Sequence, residues 1–247
     1  MKKLTGVPPR GGRRGVFVWV PPRGGVLVGL ALFGLWVGQL AYYGAVGYRT
    51  GMWDYYFTRA EYDRAASKAD KASLPVAIDH LEKALRYARE LPDPDGRLAR
   101  TYHDLGTMWW AKGMFLPARH NLLRSRRIYV RTDGPRSYFV GIIDARLGEM
   151  DLDELRLADA ETRLTSANGI LLRVVGSYDS LCLRNLANLA RLRDIQGRYL
   201  EALSITRQIL PEVAQNGRVG DSIYRQKITM LSQRLEARHP KPLVGGQ

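Results

Sequence analysis

Four alanines that recur at a nearly constant spacing constrain the fold of this 247-residue chain more than any other feature. Ala77, Ala118, Ala160 and Ala202 are 41, 42 and 42 residues apart. The residue four positions after each alanine is apolar or a threonine, and the residue seven positions after it is small or apolar. A fixed period of this length indicates one supersecondary unit stacked several times, in which each unit buries its apolar face on the next. The spacing therefore predicts an interaction surface and argues against an active-site pocket.

The second unit, residues 99–130, shows the pattern most completely. Its apolar periodicity predicts a helix over 98–112, a break at Gly113 and an antiparallel helix over 116–130. The positions that carry the pattern are Tyr102, Leu105, Gly106, Trp109, Gly113, Phe115, Ala118, Leu122 and Ser125. This arrangement strongly resembles the tetratricopeptide repeat (TPR), which is a helix–turn–helix unit.

The other units match this pattern less completely. The fourth, with Asn188-Leu189-Ala190 and Gly197-Arg198-Tyr199, is similar to the 42-residue variety found in kinesin light chains. The third has Asp151 and Leu155 where an aromatic residue and a glycine are usual, and the first has Pro75 between its helices. The resemblance implies an all-α fold: a right-handed α-solenoid of about four TPR-like helix pairs over 58–238. Residues 221–238 are expected to form its polar capping helix.

The N-terminal part of the chain has a different composition. Residues 24–48 carry no charged side chain and are long enough, as a helix, to cross a hydrocarbon core of about 30 Å. They predict a transmembrane helix, and the rival interpretation is a cleaved signal peptide. Six basic and no acidic residues precede the span, which places the N-terminus in the cytoplasm. The chain is then a single-pass protein of the inner (cytoplasmic) membrane, with its repeat domain on the periplasmic or extracellular side.

The predicted domain boundaries follow from these patterns. Residues 1–23 form a flexible basic arm, 24–48 the transmembrane helix, 49–57 a juxtamembrane aromatic segment, 58–238 the repeat domain and 239–247 a disordered tail. Within the predicted span, small residues recur one helical turn apart at Gly25, Gly29, Gly34 and Gly38. Such a face lets another helix approach closely in lipid, so docking onto other membrane subunits is an alternative to plain anchoring.

In the TPR family the first helix of each pair lines the concave face, where partners bind. The resemblance therefore implies a partner-binding surface made of Arg100, His103, Thr107, Trp110, Arg146, Arg184, Asn188 and Arg191. In similar proteins the asparagine at the place of Asn188 often holds a peptide backbone, because its amide both donates and accepts hydrogen bonds. The arginines predict an acidic peptide or a C-terminal carboxylate as the partner. The alternative is that these residues form ordinary solvated helix faces.

A second cluster of basic residues lies on the other helix of the second unit. Arg124, Arg127 and Arg131 are spaced three and four residues apart, so they share one helix face, called here the basic stripe. This stripe suits phosphate headgroups or an acidic protein surface. Nucleic acid is excluded by the predicted side of the membrane.

Chemistry-bearing motifs do not emerge from the sequence. The four histidines have no metal-ligand spacing, and no glycine-rich phosphate loop follows a strand. The single cysteine, Cys182, allows no intrachain disulfide and is expected to be a small buried residue. We expect no cofactor, no metal and no catalysis. The sequence favours a membrane-anchored TPR scaffold or adaptor for proteins. The alternatives are a permanent subunit of a membrane complex and a self-associating scaffold.

Overall fold

The computed structural model describes residues 23–67, 71–92, 96–176, 179–215 and 222–238. The chain divides into two compact units, Met1–Gly47 and Tyr48–Gln247. The secondary structure of the described residues is helical, with one short 3-10 turn at Lys71–Ser73. Their α-helices are α1 (Arg23–Ala66), α2 (Leu74–Ala88), α3 (Gly96–Ala111), α4 (Phe115–Thr132), α5 (Tyr138–Asp153), α6 (Leu157–Val175), α7 (Ser180–Ile195), α8 (Tyr199–Gln215) and α9 (Ser222–Arg238).

In the compact unit Tyr48–Gln247 the helices pack as successive pairs. α3 packs on α4, α5 on α6 and α7 on α8, and each pair contacts the next through α4 and α5 or through α6 and α7. The part of α1 that follows Tyr48 supplies Trp53, Phe57 and Ala60 to a core shared with α2 and α3. The last helix, α9, packs against α8. The predicted helix pairs are therefore present.

Small residues at a fixed place let the two helices of a pair touch. A Cβ added at Gly106 would lie 2.7 Å from Leu122 Cγ, and one added at Gly148 would lie 2.8 Å from Leu164 Cγ. The alanines that head the sequence period are buried on the other side of this contact: Ala77, Ala118, Ala160 and Ala202 are all 0% exposed. The 42-residue period is thus the period of the helix–helix contact.

Buried carboxylates join neighbouring pairs. Asp144 and Asp151, both on α5, are 2% and 0% exposed. Arg126 of α4 donates to Asp144 from Nε at 2.6 Å, and this hydrogen bond raises the pKa of the guanidinium. Asp151 is approached by Arg119 of α4 at 2.7 Å, and by Arg156 and Arg163 of its own pair at 2.8 and 2.9 Å. The second and third pairs are therefore linked by charge as well as by apolar packing.

A buried carboxylate paired with arginines of a neighbouring helix also occurs at the end of the array. Asp194, near the end of α7, is 9% exposed and forms ion pairs with Arg234 and Arg238 of α9. Cys182, also on α7, is fully buried, and burial raises the pKa of its thiol.

The predicted transmembrane helix is wrong. Among the residues that the structure describes, no helix is both long enough and apolar enough to cross a membrane. The physical reason is the composition of α1: residues 31–48 include four glycines, three tyrosines and Gln39 among their apolar side chains. The membrane anchor, the single-pass class, the predicted orientation and the inner-membrane localisation are corrected with it. Instead of a span and a separate repeat helix, one continuous helix runs from Arg23 to Ala66.

Several predictions about the chain ends lie outside the described residues. The basic arm falls on residues 1–22 apart from Arg23, and the predicted disordered tail is 239–247. Gly25 and Gly29 lie in α1, but the side-chain description of that helix begins at Ala31. A Cβ at Gly34 or Gly38 would meet no atom within 4 Å.

Candidate functional site

The first helices of the second, third and fourth pairs carry the residues that the sequence assigned to partner binding. Between α5 and α7 these residues border a shallow depression. We call it the α5–α7 groove, and its walls include Ile142, Arg146, Glu149, Leu181, Arg184 and Asn188. Three of the eight predicted partner-binding residues, Arg146, Arg184 and Asn188, therefore meet in one place.

A shared carboxylate organises the charges of the groove. Arg184 Nη2 donates to both oxygens of Glu149, at 3.1 and 2.9 Å. Arg146 approaches the same carboxylate at 3.7 Å, and its guanidinium lies 5.6 Å from the centre of the Trp110 ring. The Glu149 side chain is 16% exposed, which strengthens its attraction to both cations relative to a fully solvated pair. The arginines of the groove are thus already engaged by the protein's own acid.

Two asparagines one helical turn apart have different surroundings. Asn185 is 1% exposed, and its Nδ2 donates to the backbone oxygen of Leu164 at 2.9 Å. This contact joins α7 to α6 and is structural. Asn188 is 6% exposed and borders the groove. Both asparagines border the groove, and the sequence assigned only Asn188 to partner binding.

The remaining predicted residues contact their own chain elsewhere. Arg100 donates to Glu61 at 3.0 Å and covers the Phe57 ring. His103 pairs with Asp104, and the Thr107 hydroxyl donates to the His103 backbone oxygen. Arg191 pairs with Asp153 at 2.8 Å. The structure does not bring these residues into the groove.

The basic stripe borders a second depression. Arg124, Arg127 and Arg131 are exposed on α4 and line a space of about 830 Å³ between α2, α3 and α4. Arg89 and Tyr102 line the same space, which the sequence pattern does not predict. Arg89 is distant in sequence, and Tyr102 matches the repeat pattern as a packing residue. Asn185 and Leu181 of the α5–α7 groove were also missed, although the spacing of Asn185 and Asn188 places both on neighbouring parts of one helix face.

The architecture is similar to that of solved repeat proteins. BtubC (BKLC) from P. vanneervenii is 15% identical, with a TM-score of 0.53, and the match covers 81% of this chain and 96% of that one. A Podosopora anserina protein of the kinesin light chain type with nearly identical TPR-like repeats is 16% identical. Its TM-score is 0.55, and the match covers 75% of this chain and 96% of that one. A single-residue variant of the same protein gives the same values. No protein-family model and no curated protein matches the chain.

At these identities the likeness shows the fold. It confirms the predicted resemblance to TPR repeats of the kinesin-light-chain-like variety.

Proposed function

We propose that this protein is a docking scaffold that binds an extended segment of a partner protein in the α5–α7 groove. The observation that carries the proposal is the convergence of Arg146, Arg184 and Asn188 on one depression between two first helices. Repeat arrays offer surfaces of this kind to partners because each stacked unit contributes one helix to a continuous face.

The amide of Asn188 supplies the main contact in this proposal. A side-chain amide donates and accepts at once, so it can pair with both groups of one peptide unit. Such backbone recognition is independent of the partner's side chains and suits a scaffold. Because Asn188 is 6% exposed, an amide hydrogen bond made there is shielded from water.

The cluster of Arg146, Glu149 and Arg184 supplies the preference for charge. A carboxylate of the partner would compete with Glu149 for the two guanidiniums. We therefore expect acidic segments to bind, but through an exchange of ion pairs within the groove rather than through a bare positive surface. The net gain from such an exchange is small, because each new ion pair replaces an existing one.

The test uses the full-length protein and a displayed library of random peptides. A selected peptide is synthesised, and its Kd is measured by fluorescence anisotropy with the wild type and with Asn188→Ala. Loss of two amide hydrogen bonds at a shielded site predicts a Kd raised by about tenfold or more. The matched control is Gln208→Ala, which removes an exposed amide from α8, outside the groove.

Thermal unfolding of both variants separates lost binding from lost folding. An unchanged Kd for Asn188→Ala, or an equal change for Gln208→Ala, contradicts the proposal. A selected peptide that loses no affinity when Arg184 is changed to Gln contradicts the charge preference alone.

A further inference from the structure

Helix α4 carries five arginines and no acidic residue, and its arginines divide into two groups. Arg119 and Arg126 face the interior, where Asp151 and Asp144 bind them. Arg124, Arg127 and Arg131 lie on the exposed side of the helix. The first group is explained by the packing of the repeat pairs, whereas the exposed position of the second group calls for another explanation.

The exposed arginines border a pocket rather than a flat surface. The space between α2, α3 and α4 has Arg89 on one wall and the basic stripe on the other. Four arginines therefore surround one depression, and none of the described residues that line it carries a carboxylate. In the α5–α7 groove, by contrast, a carboxylate residue, Glu149, is part of the lining.

Tyr102 holds two of these arginines in position. Its phenolic oxygen accepts hydrogen bonds from Arg89 Nε at 3.3 Å and from Arg124 Nη1 at 3.2 Å. Both guanidiniums also lie over its ring, 5.9 and 5.6 Å from the centre. A guanidinium has five N–H donors, and the phenol takes one from each. The pocket therefore presents preorganised cations, which lowers the entropy cost of binding an anion.

The floor of the pocket is apolar. Ala88, Leu91, Leu98 and Ile128 line it together with Pro92. A small inorganic anion would leave this surface uncovered. An apolar floor between cationic walls instead suits a peptide segment that combines acidic side chains with an apolar one.

We propose that this pocket is a second docking site, which binds an acidic segment of a partner protein with an apolar residue on the floor. Charge complementarity selects the occupant. A second copy of this chain is a poor candidate, because the chain carries a net charge of +14. The site is separate from the α5–α7 groove, so each of the two proposed docking sites can be tested without the other.

The experiment measures the binding of a fluorescein-labelled peptide of glutamate and leucine to the full-length protein by anisotropy. The same peptide with glutamine in place of glutamate is the ligand control. We expect Arg124→Gln/Arg127→Gln to raise the Kd by about tenfold or more, because two charge-assisted contacts are lost. Since Arg124 also touches Tyr102, the single variant Arg127→Gln is measured too, with an expected loss in the same direction.

The protein control removes the same charge elsewhere. Arg59→Gln/Arg173→Gln changes two exposed arginines on α1 and α6 and should leave the Kd unchanged. Because the α5–α7 groove is also expected to accept acidic segments, each arginine variant is measured in the Asn188→Ala/Arg184→Gln background as well, and the loss caused by Arg127→Gln should persist there. Equal losses in the two double arginine variants would overturn the proposal, as would equal binding of the glutamine peptide.

Two further outcomes overturn it. One is tighter binding of a single-stranded oligonucleotide of the same charge at the same arginines. The other concerns Asp93 and Asp95, which follow Pro92 in the sequence and lie outside the described residues. If the peptide binds only after Asp93→Asn/Asp95→Asn, the pocket serves the chain's own loop and not a partner.

Discussion

Three residues spaced by 42 positions end the first helices of the second, third and fourth pairs: Gly113, Leu155 and Gly197. All three have positive φ, of 82°, 58° and 77°. The turns close with the same bonds, because the next residue donates from its backbone nitrogen to the residue five positions earlier: Met114 to Trp109, Arg156 to Asp151, and Arg198 to Arg193. Leu155 departs from the repeat pattern, in which glycine is usual, yet the turn forms without glycine.

The structure offers a reason why leucine is tolerated there. Arg156, the residue after Leu155, binds the Asp151 side chain through Nε and Nη2 in addition to its backbone bond. The ion pair thus stabilises the same turn that the leucine strains. At the Gly197 turn the corresponding Arg198 pairs instead with Glu161 and Glu201, which lie outside the turn.

Leu155→Gly should stabilise the protein by about 0.5–1 kcal/mol. A leucine in the left-handed region costs roughly 1–2 kcal/mol, and the added freedom of glycine in the unfolded chain cancels part of the gain. Leu155 is 67% exposed, so little packing is lost. Urea unfolding of both proteins measures the difference. The reverse change in a sister turn, Gly197→Leu, should destabilise, and a Leu155→Gly variant no more stable than the wild type would refute the strain.

At the scale of single residues the sequence predicted the packing positions well and the polar positions poorly. The repeat alanines and Cys182 are buried as expected, because burial follows the period. The partners of Arg100, Arg191 and Arg184 were not predicted. Glu61, Asp153 and Glu149 lie 35 to 39 residues away in sequence, and no local pattern shows which arginine each will meet.

At the scale of elements, a close contact recurs at the same place in the second and third helix pairs. Gly106 lies opposite Leu122, and Gly148 opposite Leu164. One period later, Ala190 and Thr206 occupy the corresponding sites, and both are fully buried. Alanine is larger than glycine, and threonine is smaller than leucine. The summed volume of the two side chains is therefore nearly conserved, as close packing requires.

Gly148→Ala should destabilise the protein by about 1–3 kcal/mol, because the new methyl group would lie 2.8 Å from Leu164 Cγ and force α5 and α6 apart. Gly169→Ala on α6 is the matched control. Nothing lies within 4 Å of its added Cβ, so the higher helix propensity of alanine should stabilise by about 0.5–1 kcal/mol. Thermal or urea unfolding gives both values, and the same sign for the two variants would refute the close contact.

Helix boundaries in the second pair were predicted to within about two residues: 98–112 and 116–130 against Gly96–Ala111 and Phe115–Thr132. Periodicity and the break at Gly113 are enough for this. The N-terminal helix was predicted wrongly, because the absence of charge over 24–48 was taken as sufficient for a span. Glycine, glutamine and tyrosine lower the apolar character of such a stretch without adding charge.

At the scale of the whole repeat array, the interfaces between pairs decide whether the units unfold together. In stacked repeats the total stability is approximately the sum of the units and their interfaces. Here the interface between the second and third pairs includes Asp151, fully buried and approached by three arginines. Removing one charge of such a group leaves the others uncompensated in a poorly solvated site.

Asp151→Asn should therefore destabilise the protein by about 3–5 kcal/mol and broaden its unfolding transition, because the array loses the charge link between two of its units. Asp153→Asn on the same helix is the matched control. Its ion pair with Arg191 is exposed, so the cost should stay within about 1 kcal/mol. Urea unfolding supplies both numbers, and hydrogen exchange shows whether α3 and α4 separate from the rest. An equal loss of unfolding free energy in the two variants would contradict a stabilising role for the buried Asp151 ion pairs.

The ion pairs between α4 and α5 also restrict which helix pair can follow the second one. If one 42-residue period were deleted, Leu186 and Arg193 would take the places of Asp144 and Asp151 opposite Arg126 and Arg119. A carboxylate would be replaced by a leucine at one contact and by a like charge at the other. Recombination between repeats, which lengthens or shortens arrays of interchangeable units, would here produce a chain with repelling interiors. At this interface the third pair is therefore not interchangeable with the fourth.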